Sequence, residues 1–186
     1  AVELDRDLIA LLQRQIHPRR LTLHESDVLK FDFRTLSATK QHDLRVVGNL
    51  PYNISTPIMF HLIEQLSVVK DMHFMLQKEM VTRLTAAPNS KHWGRLSVMV
   101  QYHCNAEYLF TVPPQAFSPA PKVDSAIIRL TPRDPITPTA QDYALFARLV
   151  NQAFTQRRKP IRNSIKPFLS AEAIESTGID PSLRPD

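Results

Sequence analysis

Leu44-Arg45-Val46-Val47-Gly48-Asn49-Leu50-Pro51-Tyr52 is the stretch around which the other segments take their places. A β-branched run that gives way to Gly, Asn and Pro reads as a buried strand that stops abruptly. In an open α/β sheet, ligands sit at the carboxyl end of such a strand. An amide, a rigid proline and an aromatic ring at that point can hold a flat, polar-edged base. The Asn49 amide and the neighbouring carbonyls would accept hydrogen bonds from an exocyclic amine, and the Tyr52 ring would stack on the base. Asn-x-Pro also closes many strands as an ordinary turn, and on these residues alone both readings stand.

Upstream, Ala1 to Leu4 reads as a short strand end carrying Glu3. Asp5 can cap a helix whose apolar positions Leu8, Ile9, Leu12 and Ile16 keep helical spacing until Pro18. Leu21 to His24 reads as a second strand, followed by Glu25-Ser26-Asp27, and Asp32 to Leu36 as a short helix or loop. Strands separated by helical or irregular links indicate right-handed crossovers and a mostly parallel sheet. Downstream, Thr56-Pro57 reads as an N-cap with proline at the first helical position, opening a helix with Ile58, Met59, Leu62, Ile63 and Leu66 on one face. The pattern continues as a buried strand at Asp71–Leu76, helices at Lys78–Thr85 and around Leu96–Tyr102, and strands at Glu107–Val112 and Asp124–Leu130. The prolines between Pro113 and Pro121 exclude helix there. The resulting division is an α/β domain over residues 1–131, a proline-bearing linker over 132–138, and a helical domain over 139–186 with Tyr143, Phe146, Leu149, Val150 and Phe154 in helical period.

The 186 residues are 43% hydrophobic and 22% charged, enough apolar material for a real core in a soluble chain. A net charge of +5 and a pI of about 9.6 suit a polyanionic partner. No apolar run reaches the roughly 20 residues of a membrane span, and the residues from Ala1 onward do not read as a signal peptide. The single cysteine, Cys104, excludes an internal disulfide, fits a reducing cytoplasm and reads as a buried small hydrophobe. The chain opens without an initiator methionine and closes without a capping element, so it is expected to be an internal portion of a longer protein. The histidines (His17, His24, His42, His61, His73, His92 and His103) show no metal-ligand spacing, so no metal is expected. The absence of a Walker pattern disfavours phosphoryl transfer.

Glu3 ends one strand and Asp27 follows the next, at the same expected rim of the sheet. A carboxylate at the first position can accept from both hydroxyls of a ribose, and one at the second from an adenine amino group. Either can equally be a solvated strand-end acid. Asp5, Asp7 and Glu25 read as helix-start and surface charges. Phe117, in its proline-braced loop, is either a core aromatic or a second stacking wall whose ordering entropy the prolines have lowered. Gln156-Arg157-Arg158-Lys159-Pro160-Ile161-Arg162-Asn163-Ser164-Ile165-Lys166 holds five cations and no acid, which suits contacts to RNA phosphates.

Taken together, Asn49-Leu50-Pro51-Tyr52, Phe117-Ser118-Pro119-Ala120-Pro121-Lys122-Val123-Asp124-Ser125 and Gln156-Arg157-Arg158-Lys159 resemble the ribosomal RNA adenine N6-dimethyltransferases, most closely the bacterial enzymes acting on 16S rRNA. The resemblance spans nearly the whole chain. It implies a class I S-adenosylmethionine (SAM) methyltransferase fold, Rossmann-like, with a small all-helical C-terminal domain. By that resemblance Glu3 matches the ribose-binding acid, and Asp27 matches the residue contacting the adenine of SAM. Asn49 matches the asparagine beside both cofactor and target base, with Leu50 and Pro51 completing the turn, Tyr52 the stacking tyrosine, and Phe117 the opposing aromatic. Arg157, Arg158, Lys159 and Arg162 fall on the RNA side. The first strand and glycine-rich loop of the family would precede Ala1. The implied activity is transfer of methyl groups from SAM to N6 of adenines in small-subunit 16S rRNA by a cytoplasmic monomer. Alternatives are an RNA-binding ribosome-assembly factor with methylation secondary, and a DNA adenine N6-methyltransferase.

Overall fold

The computed structural model describes residues 1–37 and 44–186; His42 lies outside the described residues. Two compact units are present, Ala1–Val46 with Leu50–Asp71, and Val47–Asn49 with Met72–Asp186.

In the first unit, β1 (Val2–Glu3) pairs in parallel with β2 (His24–Glu25), setting Val2 opposite His24 and Glu3 opposite Glu25. The strand expected at Leu21–His24 is therefore shorter and lies further along the chain. Between them runs α1 (Arg6–Gln15), and Asp5 caps it as expected, its Oδ1 accepting the N–H groups of Asp7 (2.8 Å) and Leu8 (3.2 Å). Glu25 pairs with Arg6 on the surface at 2.8 Å. A single 3₁₀ turn, Phe33–Leu36, is capped by Asp32. The core of the unit comes from α2 (Ser55–Ile63), whose Ile58, Met59, Leu62 and Ile63 are buried together with Val68 and Val69. The N-cap of α2 is Ile54 and makes no side-chain cap bond, so Thr56 lies inside the helix rather than capping it. The preceding turn fixes where the helix starts: the Ile54 N–H (3.2 Å) and the Ser55 hydroxyl (3.0 Å) both donate to the Pro51 carbonyl. Pro57 is tolerated because the first turn of a helix leaves its N–H groups unbonded. Leu66 falls beyond α2, in a separate 3₁₀ turn, Leu66–Val68.

A four-stranded sheet has the order β3-β4-β6-β5, with β3 Leu44–Asn49, β4 Val69–Gln77, β5 Cys104–Val112 and β6 Ser125–Pro132. β6 runs antiparallel to both neighbours, setting Phe74 opposite Ile128 and Leu76 opposite Ala126. β4 and β5 therefore run the same way, as a mostly parallel sheet requires, and β6 is the reversed strand between them. β3 is the first strand in that order, and its residues alternate between half-buried and exposed, with Val47 at 73%. The buried run is β4; α3 (Lys78–Leu84) packs on β6 and α4 (Arg95–His103) on β5, with Val81, Leu84, Met99 and Val100 buried. Cys104 is buried as expected, and that burial pushes its thiol up to about 12.

Three helices follow: α5 (Tyr143–Thr155), α6 (Ile161–Ser164) and α7 (Ala171–Glu175). Their small core joins Ala153, Ile165 and Ile174 to Leu149 and Ile161. The end of α4 holds the start of α5. Tyr102 packs against Phe146 at 4.6 Å between ring centroids and accepts the Ala140 N–H at 2.8 Å, while His103 Nε2 shares a 3.0 Å hydrogen bond with the Tyr143 hydroxyl. No helix among the described residues is long and apolar enough to cross a membrane.

Candidate active site

In the first unit the two candidate acids share a rim. Parallel pairing of β1 with β2 sets the carboxyl ends of both strands side by side, and the Ser26 N–H bonds the Glu3 carbonyl at 3.0 Å. Glu3 closes its own turn, its Oε1 accepting the N–H groups of Leu4 (2.8 Å) and Asp5 (2.9 Å). Asp27 forms an Asx turn, its Oδ1 accepting the Leu29 N–H at 3.0 Å, while its carbonyl takes the Lys30 N–H at 2.9 Å. Both acids are half-buried. Two anchored carboxylates on adjacent strand ends form an acceptor set that fits the donors of a nucleoside, a ribose diol and an exocyclic amine.

Leu50-Pro51-Tyr52 leaves the carboxyl end of β3 and turns straight into α2. The Pro51 carbonyl is consumed by that turn, as described above, so the turn is held by main-chain geometry rather than by solvent. Tyr52 stays 43% exposed, placing an aromatic face where a flat ligand can reach it. Asn49, the last residue of β3, is exposed within the second unit.

Phe117, also in the second unit, is half-buried and follows the 3₁₀ turn Pro114–Ala116, its N–H bonded to the Pro114 carbonyl at 3.1 Å. The far end of its loop is clamped to α3. Lys78 donates through its backbone N–H to the Asp124 carbonyl (3.0 Å) and through Nζ to Asp124 Oδ2 (3.1 Å). The hydrogen bond to Asp124 holds the Lys78 ammonium above its usual range.

The basic segment divides in two. Arg157 is half-buried, its Nε lying 3.4 Å from Asp186 Oδ2 and its Nη2 3.5 Å from the Ser90 carbonyl. Arg158, Lys159, Arg162 and Lys166 are exposed and form no ion pair with another described residue. Sequence reading missed the Lys78–Asp124 clamp, whose partners lie too far apart in the chain for any local pattern. It also missed the bidentate Arg45–Asp71 pair (2.7 and 2.8 Å). The acid inside the apolar β4 run was the signal for that pair, since a buried carboxylate needs a partner.

The structure as a whole matches solved methyltransferases. A dimethyladenosine transferase from Plasmodium falciparum superposes with a TM-score of 0.76 at 25% identity, over 94% of this chain and 62% of that one. The 23S rRNA methyltransferase ErmE superposes with a TM-score of 0.72 at 24% identity, over 98% of this chain and 73% of that one. The fold is that of the class I SAM-dependent methyltransferases. Within that class the chain belongs to the ribosomal RNA adenine dimethylase family, whose profile matches residues 1–183. Relatives described as ribosomal RNA small subunit methyltransferase A include one from Alcanivorax borkumensis, 62% identical over all of this chain and 66% of its own length. Another, from Pseudomonas aeruginosa, is 57% identical over all of this chain and 69% of its own length. The chain thus spans about two thirds of these relatives.

Proposed function

We propose that the protein of which this chain forms part transfers methyl groups from SAM to N6 of adenines in 16S rRNA, giving N6,N6-dimethyladenosine during assembly of the small ribosomal subunit in the cytoplasm. The observation that carries this reading is the Asn49-Leu50-Pro51-Tyr52 turn at the carboxyl end of β3, in a chain of this family. Glu3 and Asp27 hold the nucleoside part of SAM through ribose and adenine. SAM supplies an electrophilic methyl group on a sulfonium. The residues of the chain prepare the nucleophile. The N6 lone pair of adenine is delocalised into the ring, and hydrogen bonds from its protons to the Asn49 side-chain oxygen and the Leu50 carbonyl favour a more tetrahedral nitrogen. No strong general base is required, because the proton leaves after attack. Positioning then carries most of the rate, worth up to roughly 7–11 kcal/mol in well-oriented systems.

Tyr52 supplies one stacking face and Phe117 a second, each worth on the order of 1–3 kcal/mol for an extruded base. Arg157, Arg158, Lys159 and Arg162 belong to the RNA-binding helical domain over residues 139–186, joined through 132–138 to the catalytic domain over 1–131, and the protein works as a monomer. The reading is supported by the family, by the paired carboxylates and by the exposed cations. Incubating the full-length protein with methyl-labelled SAM and either small-subunit particles or adenine-containing duplex DNA tests it. Label confined to the rRNA is expected. Label in DNA alone, or SAM binding with no transfer to either, would replace it with a DNA methyltransferase or an assembly factor.

A further inference from the structure

Asp27 belongs to a segment with little regular structure, yet that segment is pinned from behind by two polar side chains of α2 and its C-terminal extension. Gln65 is 4% exposed, and its Oε1 accepts the Phe33 N–H at 2.7 Å. Its Nε2 reaches the Phe31 carbonyl and the His61 carbonyl, each at 3.4 Å. His61 Nε2 lies 2.8 Å from the Phe31 carbonyl. A carbonyl only accepts, so Nε2 carries the proton there. Gln65 Nε2 lies 3.0 Å from the same His61 Nε2, both nitrogens being turned on the Phe31 carbonyl. Aromatic packing extends the brace toward β2: the Phe33 ring lies 6.2 Å from His61 and 5.1 Å from Phe31, and Phe31 lies 5.1 Å from His24, three residues before Asp27.

Hydrogen bonding and packing on this scale are not needed to bury a surface loop, whose backbone water would satisfy. A buried and a half-buried side chain spent on the main chain of Phe31–Phe33 fix where the preceding turn, and Asp27 on it, can stand. The same α2 begins at the turn carrying Leu50, Pro51 and Tyr52, so one helix braces both ends of the site.

We infer that His61 and Gln65 are positioning residues for the adenine subsite: by holding the backbone of Phe31–Phe33 they set the Asp27 carboxylate for the adenine of SAM. The inference rests on the assignment of Asp27 to that subsite. His61→Phe removes the donor but keeps a ring, and Gln65→Met keeps the length but removes both hydrogen-bonding functions. In the full-length protein each raises the calorimetric Kd for SAM about five- to tenfold, the loss expected of one or two net hydrogen bonds. The Kd for adenosine rises by the same factor. RNA affinity and kcat at saturating SAM stay within twofold, so the effect falls on KM. His61→Gln, which restores a donor, brings the Kd back toward wild type. If His61→Phe does not fold, Gln65→Met carries the test, with faster hydrogen exchange at the Phe33 amide as its structural signature. Asp27→Asn separates the two claims. If Asp27→Asn weakens SAM binding while folded Gln65→Met binds SAM within twofold of wild type, the brace is refuted and the subsite stands. If Asp27→Asn leaves SAM binding unchanged, the subsite assignment fails first.

Discussion

Ser97→Ala removes one oxygen from a fully buried site and should cost about 2 kcal/mol. The Ser97 hydroxyl donates to the Arg83 carbonyl near the end of α3 at 2.6 Å and accepts the Gly94 N–H at the start of α4 at 3.1 Å. It is therefore the joint between two helices and half of the N-terminal cap of the second. Two net hydrogen bonds amount to about 1–3 kcal/mol, and a buried group left unpaired costs about 1–3 kcal/mol in place of, not on top of, the bond it lost. The Arg83 carbonyl keeps a weaker partner, the Ala86 N–H at 3.4 Å, so the full penalty falls on Gly94 alone. That places the loss near the middle of that range. Urea unfolding of the full-length protein should show a lower midpoint at unchanged slope, since no surface is newly exposed in the native state. Hydrogen exchange at the Gly94 amide should quicken with it. A loss below about 0.5 kcal/mol, the scale of an ordinary surface substitution, would refute the assignment of Ser97 as a helix joint.

Cys104 should resist an aqueous disulfide reagent at pH 8 in the native protein and react fully in denaturant; its thiol is raised to about 12 by burial. Because the folded state disfavours its thiolate, stability linked to Cys104 is complete below the ordinary thiol range and falls as pH rises from there toward 12. Burial lowers His103, so the folded state binds fewer protons than the unfolded chain, and stability falls as pH drops below the ordinary histidine range. His103→Gln should flatten acid denaturation profiles there; an unchanged profile would place the sensitivity elsewhere. Changing Arg158, Lys159 and Arg162 together to Ala should reduce the slope of log K against log salt for rRNA by roughly 2–3, at about 0.7–0.9 per phosphate contact. An unaltered slope would remove these cations from the interface.

Much of the site was legible in the chain because its parts are punctuated locally. Asn49-Leu50-Pro51-Tyr52 ends β3 at the expected residue, Asp5 caps α1, and Asp27 follows β2 even though that strand proved shorter than its apolar pattern. What sequence could not convey is pairing. The apolar run Leu44–Gly48 does not say which strands flank it, and only the fold sets β4 beside it. Nothing in Ser125–Pro132 announces that β6 inserts antiparallel between β4 and β5, because alternation within a strand is blind to direction. Arg157 looked like its neighbours in a one-sign run and differs from them only through Ser90 and Asp186, both remote in sequence. In the sequence His61 and Gln65 are polar residues within an apolar helical run reaching Leu66; their role exists only once Phe31 and Phe33 lie against them.

The central claim is that the Asn49 amide orients the amino group of an adenine for attack, and mass spectrometry of nucleosides released from small-subunit rRNA tests it most directly. After incubation with SAM and full-length Asn49→Ala protein, N6,N6-dimethyladenosine should fall by about a hundredfold or more, the scale seen when a charge- or geometry-controlling donor or acceptor is lost, with rRNA affinity within threefold of wild type. Dimethyladenosine formed by that variant at near-normal rate would contradict the account.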